Sequence, residues 1–152
     1  MSIIHEKSFY PNLYTDVINE LNLEYINFFK RYVQRIDIDD INAYPIISKI
    51  INNIQTNYSV VIQGVFVNLY YNGTNYAPYH KDSYGGSGVF TLSIGGSREF
   101  LTKHDKTKLV TKYTLEDGDL LFFNNEFNDY HKHSIPIRKR MNSSRISIVC
   151  FV

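Results

Sequence analysis

Cysteine occurs once in the 152 residues, at Cys150, so no disulfide forms within the chain and no cysteine-rich zinc site exists. Any bound metal must be held by histidines and carboxylates. Also missing is an apolar run near the ~20 residues that cross a bilayer. The opening MSIIHEK lacks the basic-then-apolar order of a secretory signal. A cytosolic or nuclear protein without membrane association is therefore expected. No Pro/Gly/Ser-rich linker, internal repeat or low-complexity stretch interrupts the chain, so residues 1–152 are read as a single domain; a monomer is expected. A charge excess is absent too: 16 basic and 15 acidic side chains leave +1, which excludes a chain that grips polyanions by bulk charge. The distribution is less even. Met1–Tyr76 holds five basic and seven acidic residues and Ala77–Val152 eleven and eight, which directs attention to a local anion site in the second half.

What is present is a folding sequence, 43% apolar and 20% charged. Asn12 is placed to cap a helix through Tyr14, Val17, Ile18, Leu21 and Ile26. Pro45 suits the first turn of a second helix carrying Ile46, Ile47, Ile50, Ile51 and Ile54 to about Asn57. Beyond Tyr58 eight β-rich runs are expected: Val60–Tyr71, Pro78–Asp82, Val89–Ile94, Arg98–Lys103, Leu109–Leu115, Asp119–Asn124, His133–Ile137 and Arg145–Val152. Asn72-Gly73 and Asp117-Gly118 suit tight hairpins, and Gly85-Gly86 and Gly95-Gly96 offer positive φ. The fold class is α+β, mostly β: a double-stranded β-helix of jelly-roll or cupin type, with helices within about 12–57 packed on one sheet and the barrel within about 58–152. An immunoglobulin-like sandwich would explain the strands but not the helices or the histidines.

His80-Lys81-Asp82 puts an imidazole and a carboxylate two residues apart on an expected strand, so both leave the same face. With a third ligand across the barrel they make a facial triad. Two histidines and a carboxylate leave three positions open, the set that suits non-haem Fe(II) holding a bidentate cosubstrate and O₂. Alone, the same tripeptide also describes a solvated hairpin end. His131 and His133 have equal parity as the third ligand. His133 is preferred because it enters the apolar run Ile135–Ile137, whereas His131 follows the polar segment Asn124–Asp129 and is solvated or supporting. His5 and His104 read as residues of the tail and of a charged turn. On the last strand Arg145, Ser147, Val149 and Phe151 share one face, and Ile146, Ile148, Cys150 and Val152 the other. A guanidinium turned into a barrel needs an anionic partner, which a dicarboxylate would supply; the plainer reading joins Arg145 to the basic end Arg138, Lys139 and Arg140. Asn68 and Tyr70 likewise share a face, as donors for carboxylate oxygens or as ordinary core polar groups.

Taken in order, Asn68-Leu69-Tyr70, His80-Lys81-Asp82, Gly118-Asp119-Leu120-Leu121, His133-Ser134-Ile135-Pro136 and Arg145 resemble the AlkB-type Fe(II)/2-oxoglutarate-dependent dioxygenases. The resemblance covers about Ala43–Val152, and His133 through Arg145 is similar to the eukaryotic DNA-repair members. It implies that His80, Asp82 and His133 bind Fe(II) and are the catalytic set. It also implies that Arg145 pairs with the far carboxylate of 2-oxoglutarate, that Asn68 and Tyr70 hydrogen-bond it, and that Ser147 stands where the family has a cosubstrate-contacting Asn. The implied reaction consumes O₂ and 2-oxoglutarate and removes a methyl group from a base nitrogen, releasing formaldehyde, succinate and CO₂. The implied partner is alkylated DNA or RNA, single-stranded in view of the chain's size, with tyrosines and second-half cations for stacking and phosphate contacts.

Four departures stand beside the resemblance. Phe151 occupies the position of a second family arginine, Ser147 that of the usual Asn, and Ser83-Tyr84-Gly85-Gly86 follows Asp82 where acidic residues are common. Arg31–Asn42 is short where repair members build a lid over the flipped base. Two other readings are therefore carried: a 2-oxoglutarate-dependent hydroxylase of a protein or small molecule, and a catalytically weak cupin-like binding module.

Overall fold

The computed structural model describes residues 2–27, 30–83 and 86–152. In chain order it contains β1 (Ile3–Glu6), α1 (Tyr14–Ile18), β2 (Glu24–Ile26), β3 (Arg31–Ile36), a 3₁₀ turn (Ile38–Ala43), α2 (Pro45–Tyr58), β4 (Gly64–Tyr70) and β5 (Ala77–His80). Then follow β6 (Gly88–Gly95), β7 (Arg98–His104), β8 (Val110–Leu115), β9 (Leu120–Asn124), α3 (Asn125–Tyr130), β10 (His131–Ile135) and β11 (Arg145–Phe151). Seven strands form one antiparallel sheet in the order β1-β9-β6-β11-β4-β3-β2, and four form a second in the order β5-β10-β7-β8. This is the expected two-sheet, double-stranded β-helix architecture.

The period-2 pattern of β11 divides the interior. Ile146, Ile148 and Cys150, each fully buried, join Val65, Val67, Leu92 and Ile94 against α2, whose Ile47, Ile50, Ile51 and Ile54 lie on one face. Each such isoleucine contributes about 1.5–3 kcal/mol through burial. The opposite face of β11 looks toward the second sheet, where Tyr70, Phe100, Phe123, Ile135 and Phe151 pack together. Between the sheets this apolar layer gives way to the polar cavity described below.

The N-terminal half departs from the expected pattern. The first helix stops after five residues, and its N-cap position is Leu13 with no side-chain bond; Asn12 instead has φ +65°. The chain turns there because Glu20 is needed elsewhere: its carboxylate accepts the Ile46 and Ile47 N–H groups at 2.5 and 3.2 Å, satisfying the start of α2. Leu21–Leu23 is irregular and β2 takes the place of the end of the expected helix, while β3 pairs with β2 and extends the large sheet beyond β4. Neither β1, which pairs with β9, nor α3 was expected. The first strand beyond α2 begins at Gly64, not Val60, and β5 ends at His80, before Asp82.

Among the turn glycines, Gly118 has φ +85° and Gly95 +88°, as expected, but Gly96 and Gly86 do not; Gly85 lies outside the described residues. Gly73 is required for a different reason: a Cβ there would stand 1.6 Å from the Arg138 carbonyl oxygen.

Candidate metal and cosubstrate site

A cavity of about 310 Å³ lies between the sheets, with His80, Asp82 and His133 at one side and Arg145, Asn68 and Tyr70 among its other walls. His80 and His133 face each other across the β5–β10 ladder, their ring centroids 4.3 Å apart. The Asp82 carboxylate reaches both, with Oδ1 3.7 Å from His80 Nε2 and Oδ2 3.4 Å from His133 Nε2. One ligand atom from each residue falls within 4.8 Å of the others, and no other such group of three occurs among the described residues. The donor set fits a first-row divalent ion, whose ligands at right angles sit about 3 Å apart for bonds of ~2.1 Å.

The surroundings hold these ligands in place. His80 Nδ1 lies 2.7 Å from the Pro78 carbonyl, to which it donates, leaving Nε2 facing Asp82. Burial, reinforced by the charges of His133 and Arg31, lowers the proton affinity of His80, which keeps its ring in the neutral, ligating form. At Asp82, burial alone would raise the pKa. Hydrogen bonding and charge from His133, and then the charge of His80, outweigh it and hold the carboxyl below its usual range. Because Asp82 lies beyond the end of β5, its backbone is clamped from α3: Asn128 Oδ1 accepts the Asp82 N–H at 3.3 Å and Asn128 Nδ2 donates to the Asp82 carbonyl at 2.8 Å. Lys81 turns away, donating to Asp105 at 2.6 Å and to the Asn128 and Asp129 carbonyls.

The other histidines are engaged elsewhere. His131 stacks on Phe127 with centroids 3.8 Å apart and lies 2.9 Å from that residue's carbonyl through Nδ1. His104 Nδ1 accepts from the Lys106 and Thr107 N–H groups, and His5 pairs with the buried Asp119 at 2.9 Å.

Arg145, which lines the same cavity, is 1% exposed. Its Nε donates to Ser93 Oγ at 2.7 Å, and its carbon Cζ lies 5.3 Å from the centre of the Tyr70 ring. Both terminal nitrogens are buried and meet no acceptor among the described residues. Burial pushes this guanidinium down to about 10, although the neighbouring Tyr70 hydroxyl acts the other way. Two parallel N–H donors without an acceptor, in a cavity that already holds a metal-ligand set, match a carboxylate. Across the sheet Arg145 stands opposite Tyr70, and Ser147 opposite Asn68 and Ser93, so the expected cosubstrate residues share one wall. Phe151 lies near the far end of the same strand, 5% exposed.

Three arginines of this region were not singled out from the sequence as site residues. Arg31 and Arg35 of β3 line the cavity, and Arg31 Nε donates to Asn68 Oδ1 at 2.6 Å. Arg98, 2% exposed, donates to the carbonyls of Asn72, Asn75 and Pro136 and lies 5.4 Å from the Tyr70 ring. The available signal was the alternation Arg31-Val33-Arg35 on a short β-rich run, hidden because two of those three inward positions are charged.

Residues 25–150 match the family model described as the 2OG-Fe(II) oxygenase superfamily. The chain is 31% identical to the mouse DNA oxidative demethylase ALKBH2 over 96 residues, which is 55% of this chain and 40% of that protein. It thus spans less than half the length of that relative. Among solved structures, OsALKBH1 superposes with a TM-score of 0.70 at 14% identity, covering 99% of this chain and 97% of that one. A prolyl hydroxylase from Trichoplax adhaerens, solved with a peptide fragment of hypoxia inducible factor, superposes with a TM-score of 0.64 at 11% identity, covering 98% and 83%. These two likenesses concern the fold. With the family model spanning most of the chain and the donor set in place, the chain belongs to the 2OG-Fe(II) oxygenase superfamily, whose members use Fe(II) and 2-oxoglutarate.

Proposed function

We propose that this chain is a single-domain Fe(II)/2-oxoglutarate-dependent dioxygenase that oxidatively demethylates N-alkylated bases in single-stranded DNA or RNA. In this reading His80, Asp82 and His133 hold the iron, and Arg145 grips the far carboxylate of 2-oxoglutarate with help from Asn68, Tyr70 and Ser147. The observation that carries the reading is the pair of donors on buried Arg145, without an acceptor, in the cavity that holds the triad. Bound iron and cosubstrate supply the oxidation: O₂ and 2-oxoglutarate become succinate and CO₂ while a substrate C–H bond becomes C–OH, and a hydroxymethyl group on nitrogen departs as formaldehyde.

The protein's own work is placement and exclusion. The neutral His80 ring presents Nε2 rather than a proton. Arg145 orients one end of the dicarboxylate, and the apolar walls Phe100, Ile135, Val149 and Phe151 keep water from the reacting atoms. The chain need not supply a general base, and among the described residues Asp82 is the only carboxylate lining the cavity. A nucleic-acid substrate is supported by the ALKBH2 likeness and by the exposed Arg35, which lines the cavity together with Phe66, where a base and its phosphate would lie together. A cytosolic or nuclear monomer belongs to the same proposal. Among the described residues no helix is long and apolar enough to cross a membrane.

The test is anaerobic loading with Fe(II) and 2-oxoglutarate, then O₂, with succinate and formaldehyde followed on methylated and unmethylated single-stranded oligonucleotides. Formaldehyde that depends on the methyl group and vanishes in His133→Ala is the expected result. Succinate without formaldehyde across the nucleic-acid panel would move the activity to a protein or small-molecule substrate. No succinate at all would leave a binding module.

A further inference from the structure

We propose that the outer face of the small sheet docks the backbone of a single-stranded nucleic acid, which passes over the edge of β5 and is held there by Tyr79, Lys132 and Lys103. The proposal deepens the demethylase reading above and rests on it for the base that enters the cavity.

The small sheet is a single layer, so its alternation sets two surfaces back to back. His80 and His133 pair across β5 and β10 and line the cavity, as does Phe100 of β7. Tyr79, Lys132 and Leu101, each one residue from these, leave the other side, and Lys103 and Lys112 share that side with Leu101 by parity and by cross-strand pairing. Tyr79, Lys132 and Lys112 are exposed and Lys103 is half-buried.

The free charge on this outer side is of one sign. Lys132 stands directly opposite Lys103 in the β10–β7 ladder, a placement in which like charges repel. Neither forms a salt bridge among the described residues. The nearby carboxylates are engaged, Asp105 by Lys81 at 2.6 Å and Glu99 by Arg138 at 2.8 Å. With strands ~4.8 Å apart, the two opposed ammonium groups are close enough to share one phosphate or to hold two in succession, and either relieves the repulsion.

Tyr79 turns a general anion site into one for nucleic acid. Its ring is 36% exposed, and Lys103 reaches across β10 to bring Nζ within 5.5 Å of the ring centre. A ring and a cation side by side meet the two parts of one nucleotide, base and phosphate. A phosphate draws Lys103 toward Lys132 and leaves the ring face to a base. The path from the cavity is short, because β5 is the edge of the sheet and Lys81, Asp82 and Ser83, just beyond its last residue, line the cavity. An acidic peptide or an anionic lipid surface would answer the lysines but offers Tyr79 no flat ring.

The test is fluorescence anisotropy of a labelled, unmethylated single strand of about 15 nucleotides on Mn(II)-loaded protein, over a salt series. The double variant Lys103→Gln/Lys132→Gln should bind about tenfold more weakly, with the slope of log affinity against log salt shallower by about 1.4, two phosphate contacts at ~0.7 each. Tyr79→Leu should weaken binding by about fivefold or more at unchanged slope, and Tyr79→Phe should bind like wild type. Lys49→Gln, exposed on α2, should change neither quantity. A folding defect would not separate slope from affinity in this way, and the lysine variant should keep at least the wild-type Tm because it removes a like-charge pair. Wild-type affinity and slope in the double variant overturn the proposal, as does an equal loss in Lys49→Gln, which would reduce the effect to bulk charge. Tighter binding, per charge, of polyglutamate or phosphatidylserine vesicles through the same lysines would assign the face to another partner and overturn it too. Methyl-dependent formaldehyde with unaltered binding in the double variant removes this surface and keeps the demethylase reading. Lysine-dependent binding of the strand without formaldehyde from any methylated one does the reverse.

Discussion

At the scale of single residues, Arg145 holds a buried charge that its bond to Ser93 and its place over the Tyr70 ring compensate only in part. A buried cation with two unmatched donors costs stability, and an apolar replacement of similar length removes that cost. Arg145→Met is therefore expected to stabilise the ligand-free protein by about 1–4 kcal/mol, roughly 2–4 °C in Tm for each kcal/mol at this chain length. The same variant should lose all the stabilisation that N-oxalylglycine gives the metal-loaded wild type, and differential scanning fluorimetry reads both effects. A variant less stable than wild type would show that the guanidinium is already compensated. Arg145→Lys should need about tenfold more 2-oxoglutarate, with metal content unchanged.

Asp119 shows the opposite balance. Burial would raise its pKa, but the N–H groups of Glu116 and Ser8 and the His5 ring outweigh that and hold the carboxyl below its usual range. Because the folded value is depressed, the stabilisation is complete above the unfolded value of about 3.9 and is lost as pH falls through the folded one. Asp119→Asn should cost about 1–3 kcal/mol at neutral pH, and the difference from wild type should shrink in acid. Urea titrations at the two pH values measure it; a pH-independent difference would assign the loss to packing.

At the scale of elements, α3 is what holds the Asp82 carboxylate of the candidate triad, because Asp82 has no strand of its own. Removing the Asn128 clamp leaves the metal ligands intact but frees the backbone that carries one of them. Asn128→Ala should lower metal affinity by about 10–100-fold at nearly unchanged Tm, measured by chelator competition. Equal affinity in the variant would leave Asp82 held by its histidine neighbours alone.

The elements also show where the sequence was legible. The alternation of β11 separates the core face from the site face without ambiguity, and His80-x-Asp82 predicted a shared direction even though the strand ends between them. The four isoleucines of α2 are visible because their face is purely apolar. The helix expected through Ile26 failed because the spacings of three and four among Tyr14, Val17, Ile18 and Leu21 do not continue, Leu21 and Ile26 being five apart, and nothing local announces that Glu20 will leave to cap a helix 26 residues away. β3 escapes the sequence reading because a strand whose cavity-facing positions carry Arg31 and Arg35 cannot show an apolar period. α3 did carry a signal, Asn124 accepting the Phe127 N–H at 2.9 Å, but the segment's polarity made it read as loop.

At the scale of the whole molecule, β11 lies in the middle of the large sheet, between β6 and β4, with α2 covering one face and the cavity on the other. The strand cannot leave without dismantling both the core and the cosubstrate wall, so ligand binding and global stability are coupled through it. Cys150, the one thiol of the chain, belongs to this strand, is fully buried, and is pushed up to about 12 by that burial. The protein therefore carries its own clock for unfolding. A thiol-reactive dye should label Cys150 only as often as the central strand opens, so the labelling rate in the absence of denaturant should report the opening equilibrium, and a saturating anionic ligand should slow that clock in proportion to its occupancy.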